Sequence, residues 1–363
     1  MEQKADIQVG NIAKELMKSS EACSNQIRAG LFNLIIYSNE PRREEYFQII
    51  AKSIVSKFPS RIIFIQKFND PEKNFLRVKV SKEVINKGAE EINYDQITIE
   101  VTEQQLHRIP FLILPNLLPD LPIYLLWGED PVKEKNIMPH FIKYAERLIF
   151  DSDCSESLSK FSSEIYRLME TRKDIEIIDL NWIRINGWRN VLRQVFDFQD
   201  YHRLKYNKGI QIFYNSKPTD FVLHKEIEGV YLAAWLITQL EWTLVSYTGD
   251  GEVFRALCNN GENDFEITLM PQRHEEFSHG AIISMEITSK DDYFTCIMPN
   301  EKLSKAIVHI STPESCFLPF SLPLPGLKKG SIFTTELVFS KTSSQYRNML
   351  AFLQQKSNEG LIK

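Results

Sequence analysis

The chain has 363 residues, 25% of them charged and 43% hydrophobic, with a formal net charge of −5. That length exceeds one ordinary core, so two domains are expected, and the charged fraction is that of a globular protein rather than a disordered or fibrous one. The negative balance argues against a broad nucleic-acid surface, which needs clustered positive charge; only short basic pairs such as Arg42–Arg43 and Lys328–Lys329 occur.

The opening segment "MEQKADIQVGNIAKELMKSS" is charged and amphipathic, without the apolar core or small-residue cleavage site of a secretory signal. "LFNLIIY" (Leu31 to Tyr37) is a continuous apolar run, the pattern of a strand covered on both faces. Then "PRREEYFQIIAKSIVSKF" places Pro41 in a first helical turn and repeats Phe47, Ile50, Ile54 and Phe58 at helical spacing. "SRIIFIQ" (Ser60 to Gln66) supplies a second buried strand, and this βαβ order makes the two strands parallel. "FLRVKV" and "QITIEV" follow with period-two alternation, which predicts a hairpin-like insertion at the sheet edge. Thr102, with Glu103 and Gln105 behind it, is predicted to cap a helix.

That helix runs into "LPNLLPDLPIYLLW" (Leu114 to Trp127). Pro115 and Pro119 end or kink it, and Pro122 holds Leu121 extended at the entry to the strand "IYLLW". "RLIF" (Arg147 to Phe150) is a further strand, followed by the helix "SESLSKFSSEIYRLMETRK". Residues 1–172 are thus expected to form an α/β domain with a mainly parallel sheet.

Residues 173–363 change character. "DLNWIRINGWRNVLRQVFD" (Asp179 to Asp197) and Phe221 to Trp242 read as helices. The apolar run inside the second, Val230 to Ile237, is far shorter than the roughly 20 residues that span a bilayer. A cytoplasmic protein without membrane contact is expected. The period then falls to two, with "TLVSYTGDGEVFRAL" a hairpin turning at Gly249-Asp250-Gly251. Strand-like runs "DFEITLM", "AIISMEI", "YFTCIM", "KAIVHIS" and "CFLPFSL" precede a closing helix, "SSQYRNMLAFLQQ". This predicts an α+β domain with helices and a mostly antiparallel sheet.

Chemistry-bearing patterns are few. "DSD" (Asp151 to Asp153) follows a strand, where paired acids can hold a hard cation and a diphosphate. The plainer reading ends the strand at Asp151 and Ser152 and uses Asp153 or Ser155 to cap the next helix. Neither a P-loop, a G-x-G-x-x-G fingerprint nor a G-x-S-x-G elbow occurs, so a glycine-loop nucleotide site and an elbow nucleophile are not expected. His274 and His279 are five apart in "HEEFSH", off the spacing of a helical metal pair, and read as loop residues. Five scattered cysteines (Cys23, Cys154, Cys258, Cys296, Cys316) form no C-x-x-C pair and read as reduced thiols. Trp182, Trp188, Trp235 and Trp242 lie on or beside the two helices around the domain junction. Core packing accounts for them; Arg184, Arg189 and Arg193 near Trp188 keep an interface role open.

Six blocks taken in order resemble the OpcA family of glucose-6-phosphate dehydrogenase assembly proteins. They are "IRAGLFNLIIY", "PSRIIFI", "LPNLLPDLPIYLLW", "AERLIFDS", "DLNWIRINGWRNVLRQVFD" and "YLAAWLITQLEW". Leu126 stands before Trp127 where the family often shows a second tryptophan. The resemblance implies a cytoplasmic protein without catalytic residues, cofactor or metal, which binds glucose-6-phosphate dehydrogenase and promotes its active oligomer or conformation. The partner contacts it implies are the exposed members of the blocks: Arg61, Asp120, Trp127, Asp151, Trp188 and Arg189. The alternative is a sugar-phosphate or nucleotide-sugar enzyme or sensor with its site at the strand ends of the first domain.

Overall fold

The structure is a computed structural model. It describes Ile12, Leu16 and residues 30–358, apart from 41, 42, 71, 88, 89, 134, 198, 199, 220, 221, 223, 251, 252, 301 and 325–332. The expectations for Cys23, Pro41, Arg42, Gly251 and Lys328–Lys329 fall outside the described residues. Two compact units divide the chain. The first takes residues 1–154, 171–178 and 337–341; the second takes 155–170, 179–336 and 342–363.

The first unit begins with β1 (Asn33–Ser38), α1 (Glu44–Val55) and β2 (Arg61–Phe68). Every residue of β1 is buried, as its unbroken apolar run requires. Phe47, Ile50 and Ile54 of α1 are buried on one stripe. β3 (Leu76–Lys87) and β4 (Glu90–Thr102) pair antiparallel at the sheet edge, and β4 lies parallel to β2. They are the expected hairpin, and longer than the sequence pattern indicated. A 3₁₀ turn (Glu103–Arg108) leads to the short helix α2 (Ile109–Ile113), and then come β5 (Ile123–Gly128), α3 (Met138–Ile142), β6 (Ala145–Phe150) and β7 (Glu176–Asp179). The seven strands run in the order β3-β4-β2-β1-β5-β6-β7, parallel from β4 through β6, which is the α/β architecture expected.

Thr102 does not cap the turn after it. Its hydroxyl instead donates to the carbonyl of Phe75 and accepts from the amide of the same residue, tying the hairpin's two strands together. The proline-rich joint is held from below by the fully buried Asn33. Asn33 donates to the Leu118 carbonyl at 3.0 Å and accepts from the Leu118 amide at 2.8 Å. Pro115 sits in a 3₁₀ turn (Leu114–Asn116), Leu117 is extended, and Asp120 takes a φ of 60° just before β5. An aspartate tolerates that left-handed conformation better than most side chains.

The second unit starts with α4 (Leu158–Thr171). Ser157 accepts from the Lys160 amide at 3.4 Å. The cap predicted at Asp153 or Ser155 therefore falls later, because Ser152–Cys154 form a 3₁₀ turn of their own. The expected helix over 179–197 is two helices, α5 (Leu180–Arg184) and α6 (Asn186–Val195), broken at Ile185. After α7 (Tyr201–Lys205) and β8 (Asn207–Asn215), α8 spans Ile227–Gln239, shorter than the sequence predicted. There follow β9 (Thr243–Asp250), β10 (Val253–Asn259), β11 (Asp264–Gln272), β12 (Ile282–Ser289), β13 (Phe294–Asn300), β14 (Lys305–Ser311) and β15 (Phe320–Pro323). The chain closes on α9 (Phe333–Phe339) and α10 (Ser344–Asn358).

The eight strands of this unit run β15-β14-β13-β12-β8-β11-β10-β9 and are antiparallel except where β8 meets β11. Asp250 pairs with Val253, so Gly249 and Asp250 belong to β9 rather than to the predicted turn. β7, β8 and α9 were not foreseen.

Gly128, at the end of β5, marks the tightest approach. A Cβ there would lie 2.4 Å from the Phe47 ring of α1 and 2.9 Å from the Tyr37 carbonyl. Gly128→Ala is expected to destabilise the first unit by about 1–3 kcal/mol, since the strand backbone cannot yield as a side chain can. Urea unfolding followed by Trp127 fluorescence measures it; an unchanged midpoint would show that α1 moves freely.

Candidate functional site

In an open parallel sheet, ligands collect beyond the strand carboxyl ends, where the strand order reverses. Here that point lies between β1, with β2 and β4 on one side, and β5, which starts the other direction. Among the described residues, several side chains pack at these strand ends. Phe47 covers Gly128. The Tyr37 and Trp127 rings stack at 4.2 Å with 14° between their planes. The first turn of α1 carries Glu44 and Glu45, which oppose an anion at the helix terminus that otherwise favours one.

Beside this packing lies a buried charge cluster. Arg43, just before α1, is 3% exposed and Asp151, just after β6, is 2% exposed. The guanidinium donates to Asp151 Oδ2 at 2.5 Å, also contacts the sulfur of Cys154, and lies 4.0 Å from Asp153 Oδ2. Burial lowers the Arg43 pKa, but the charge of Asp151, with a smaller contribution from Asp153, outweighs it and raises the pKa above the usual value. Burial, partly offset by Arg43 and reinforced by the neighbouring carboxylates, pushes the Cys154 thiol well above its usual value, so it stays protonated and unreactive. Nearby, Lys67 at the end of β2 binds Glu103 at 2.6 Å and lies 4.0 Å from the buried Glu129.

The "DSD" acids are thus committed to Arg43 and to the turn, where Asp151 Oδ1 accepts the Asp153 amide at 3.3 Å. No cluster of three or more potential metal ligands occurs among the described residues. Sequence reasoning missed Arg43, Lys67 and Glu129 as members of this cluster. Their signal was present, since each is a charged residue at or just beyond the carboxyl end of a buried strand.

The six expected contact residues do not converge. Asp120 alone is exposed. Arg61 is half-buried at the opposite, amino-terminal end of the sheet, donating to Asp95 at 3.1 Å and to the Asn116 carbonyl at 2.8 Å. Trp127, Asp151, Trp188 and Arg189 are 0%, 2%, 2% and 7% exposed. Their expected exposure is corrected on that ground: they are interior residues, and the shared blocks chiefly encode packing.

In the second unit, Arg189 lies over the Trp182 ring at 3.6 Å and donates to Asn186. Trp182 packs on Tyr346 at 5.2 Å. Beneath them is Asp179, fully buried, whose Oδ2 accepts from Tyr231 at 2.8 Å and Tyr346 at 3.0 Å. Its Oδ1 accepts the Asn181 amide at 2.9 Å and so caps α5. Trp235 and Trp242 are also buried, and Trp242 donates to the Lys205 carbonyl at 2.9 Å. Core packing therefore accounts for all four tryptophans of this unit. His274 and His279 lie in a loop organised by Asn215, whose amide nitrogen reaches the carbonyls of His274, Phe277 and Ser278. An apolar cavity of about 40 Å³, lined by residues such as Ala233, Phe254 and Leu353, is small and, with Tyr247 as its one residue carrying a polar side-chain group, suits water better than a sugar phosphate.

Fold and site together define a two-unit protein. Its α/β unit has a mostly parallel sheet whose strand order reverses between β1 and β5, and Phe47 and the buried Arg43–Asp151 pair lie near that point. Residues 51–168 match the family described as the glucose-6-phosphate dehydrogenase subunit N-terminal domain, and residues 175–349 the corresponding C-terminal domain. The chain belongs to the OpcA family. A relative from Synechocystis sp., named as an OxPP cycle protein, OpcA, is 24% identical over 56% of this chain and 42% of its own length. A namesake from Synechococcus elongatus is 22% identical over 58% of this chain and 47% of its own. The matches thus span less than half the length of these relatives. Among solved structures, two mutants of KijD10, a 3-ketoreductase from Actinomadura kijaniata bound to TDP-benzene and NADP, share the fold. Their TM-scores are 0.51 and 0.52 at 9% and 8% identity, covering 89% of this chain and 95% and 96% of theirs. No helix among the described residues is long and apolar enough to cross a membrane.

Proposed function

We propose that this chain is a non-catalytic partner of glucose-6-phosphate dehydrogenase. It binds the enzyme and shifts it towards its active oligomer or conformation, in the cytoplasm and at the entry to the oxidative pentose phosphate pathway. The observation that carries this reading is that both matched domains are described as parts of a subunit of that dehydrogenase, and together they take up most of the chain. The packing at the strand ends supports it: Phe47 and the buried Arg43–Asp151 pair lie near the place where a doubly wound unit would receive a cofactor. A partner acts on such an equilibrium only through its difference in affinity for the two states. Of the six block residues, Asp120 remains a surface contact candidate, Arg61 braces the loop that presents it, and the other four hold the units in shape.

The test mixes the purified chain with the dehydrogenase of its own organism. Light scattering after gel filtration should show a joint species, and the dehydrogenase rate should rise or its oligomer grow. Separate elution with an unchanged rate would end this reading.

A further inference from the structure

The eight-stranded sheet has α8 and α10 packed on one face, where Ile267, Leu269 and Ala256 meet Ala233, Ala234 and Leu353. The alternate residues of the same strands point the other way and are half-buried or exposed. On that open face Met270 lies beside Phe213, and Met298 beside Ile307. Phe294 and Met298 on β13 are 38% and 39% exposed. Polar residues share this face, among them Arg255, Lys305 and His309 on the outer strands and two carboxylates nearer its centre. Glu266 neighbours Gly209, and Glu286 lies between Gln211 and Cys296. Neither has an ion-pair partner among the described residues.

We infer that this open face is the docking surface for the dehydrogenase, and that the enzyme meets it with a flat apolar surface carrying cationic side chains over Glu266 and Glu286. The inference rests on the function proposed above and names the surface that performs it.

Size supports the assignment. Eight strands spaced by about 4.8 Å make a face roughly 35 Å wide, and most strands run about 25 Å. The resulting area, on the order of 850 Å², is what each side of a stable protein complex contributes, about 800 Å². Charge chooses the occupant. Two copies of this chain in full face-to-face overlap would centre between β12 and β8 and lay Glu286 against Gln211. That arrangement buries carboxylates without a cation, which is costly. Reaching the outward Arg255 on β10 instead would slide the faces apart and give up overlap. A heterologous partner with basic residues has neither penalty.

The test measures the affinity of the full chain for the purified dehydrogenase with three outward substitutions, Phe294→Asp, Met298→Asp and Glu286→Arg. Each site is already partly solvated, so the thermal midpoint of the chain should hold while Kd rises about tenfold or more. Should Phe294→Asp lower the midpoint, Met298→Asp and Glu286→Arg carry the comparison. Wild-type binding with all three variants unimpaired overturns the surface while leaving the function standing. Failure of the unsubstituted chain to bind overturns the function, and the assigned occupant falls with it. A chain that self-associates, and that Met298→Asp makes monomeric without weakening its hold on the enzyme, overturns the occupant in favour of a second copy.

Discussion

Replacing Arg43 with methionine should lower the stability of the first unit by about 3–5 kcal/mol, while the double change with Asp151→Leu should recover most of that loss. Both groups are out of water, so removing the guanidinium leaves the Asp151 carboxylate buried with, among the described residues, only the turn amide of Asp153 to solvate it. Removing both charges instead leaves an apolar joint, and a buried pair often stabilises no better than well-packed hydrocarbon. A domain holds only about 5–15 kcal/mol in total, so the single variant should sit close to its unfolding limit. Trp127 is the tryptophan of the first unit, and its stack on Tyr37 reports the transition in urea. If the single variant loses under about 1 kcal/mol, or the double loses as much as the single, the pair is not coupled and the crevice is held shut by packing alone.

The second large effect belongs to Asp179. Asp179→Ala should cost about 3 kcal/mol or more in the second unit, from a lost helix cap near 1 kcal/mol and two buried hydroxyls stranded at about 1 kcal/mol or more each. Tyr346→Phe should cost about 1 kcal/mol, because it removes one donor and leaves the cap intact. The hydroxyl of Tyr346 is held well above the usual tyrosine value of 10.0, first by burial and then by the Asp179 charge. A raised folded pKa means that its contribution is fully present below the unfolded value. That contribution fades at alkaline pH, from the usual value of 10.0 upward, as the hydroxyl ionises in the unfolded chain while the folded one stays protonated. Unfolding midpoints between neutral pH and pH about 11 should therefore converge for the wild type and Tyr346→Phe. A gap that stays constant across that range would show that the Tyr346 hydroxyl does not titrate differently in the folded and unfolded chain.

The sequence disclosed the layers of this protein more readily than its site. Strands such as β1 and β5 were legible because burial on both faces leaves an unbroken apolar run, and β10 to β14 because burial on one face leaves alternation. β8 carries the same alternation in Ile210, Ile212 and Tyr214, but it is a short run set between two helical segments. The charge cluster was half visible. Asp151 stood out, but its partner Arg43 lies more than a hundred residues away, joined to it only by strand order. Exposure was the weakest inference. A tryptophan or arginine in a shared block looks the same whether it faces a partner or, like Trp188 and Arg189, a neighbouring helix.

The place of β8 also bears on how the chain acquires its shape during synthesis. β9 to β11 and β12 to β15 are each successions of antiparallel neighbours, closed through short connections. β8 leaves the ribosome before either set, yet it is the strand that joins them. Contacts near in sequence close first, and distant ones wait on the entropy of larger loops. The two meanders therefore consolidate early, while the apolar edge of Ile210 and Ile212 stays unpaired until both are complete. The oldest strand of the sheet is the last to be sealed, and until then it is the segment a chaperone would have reason to hold.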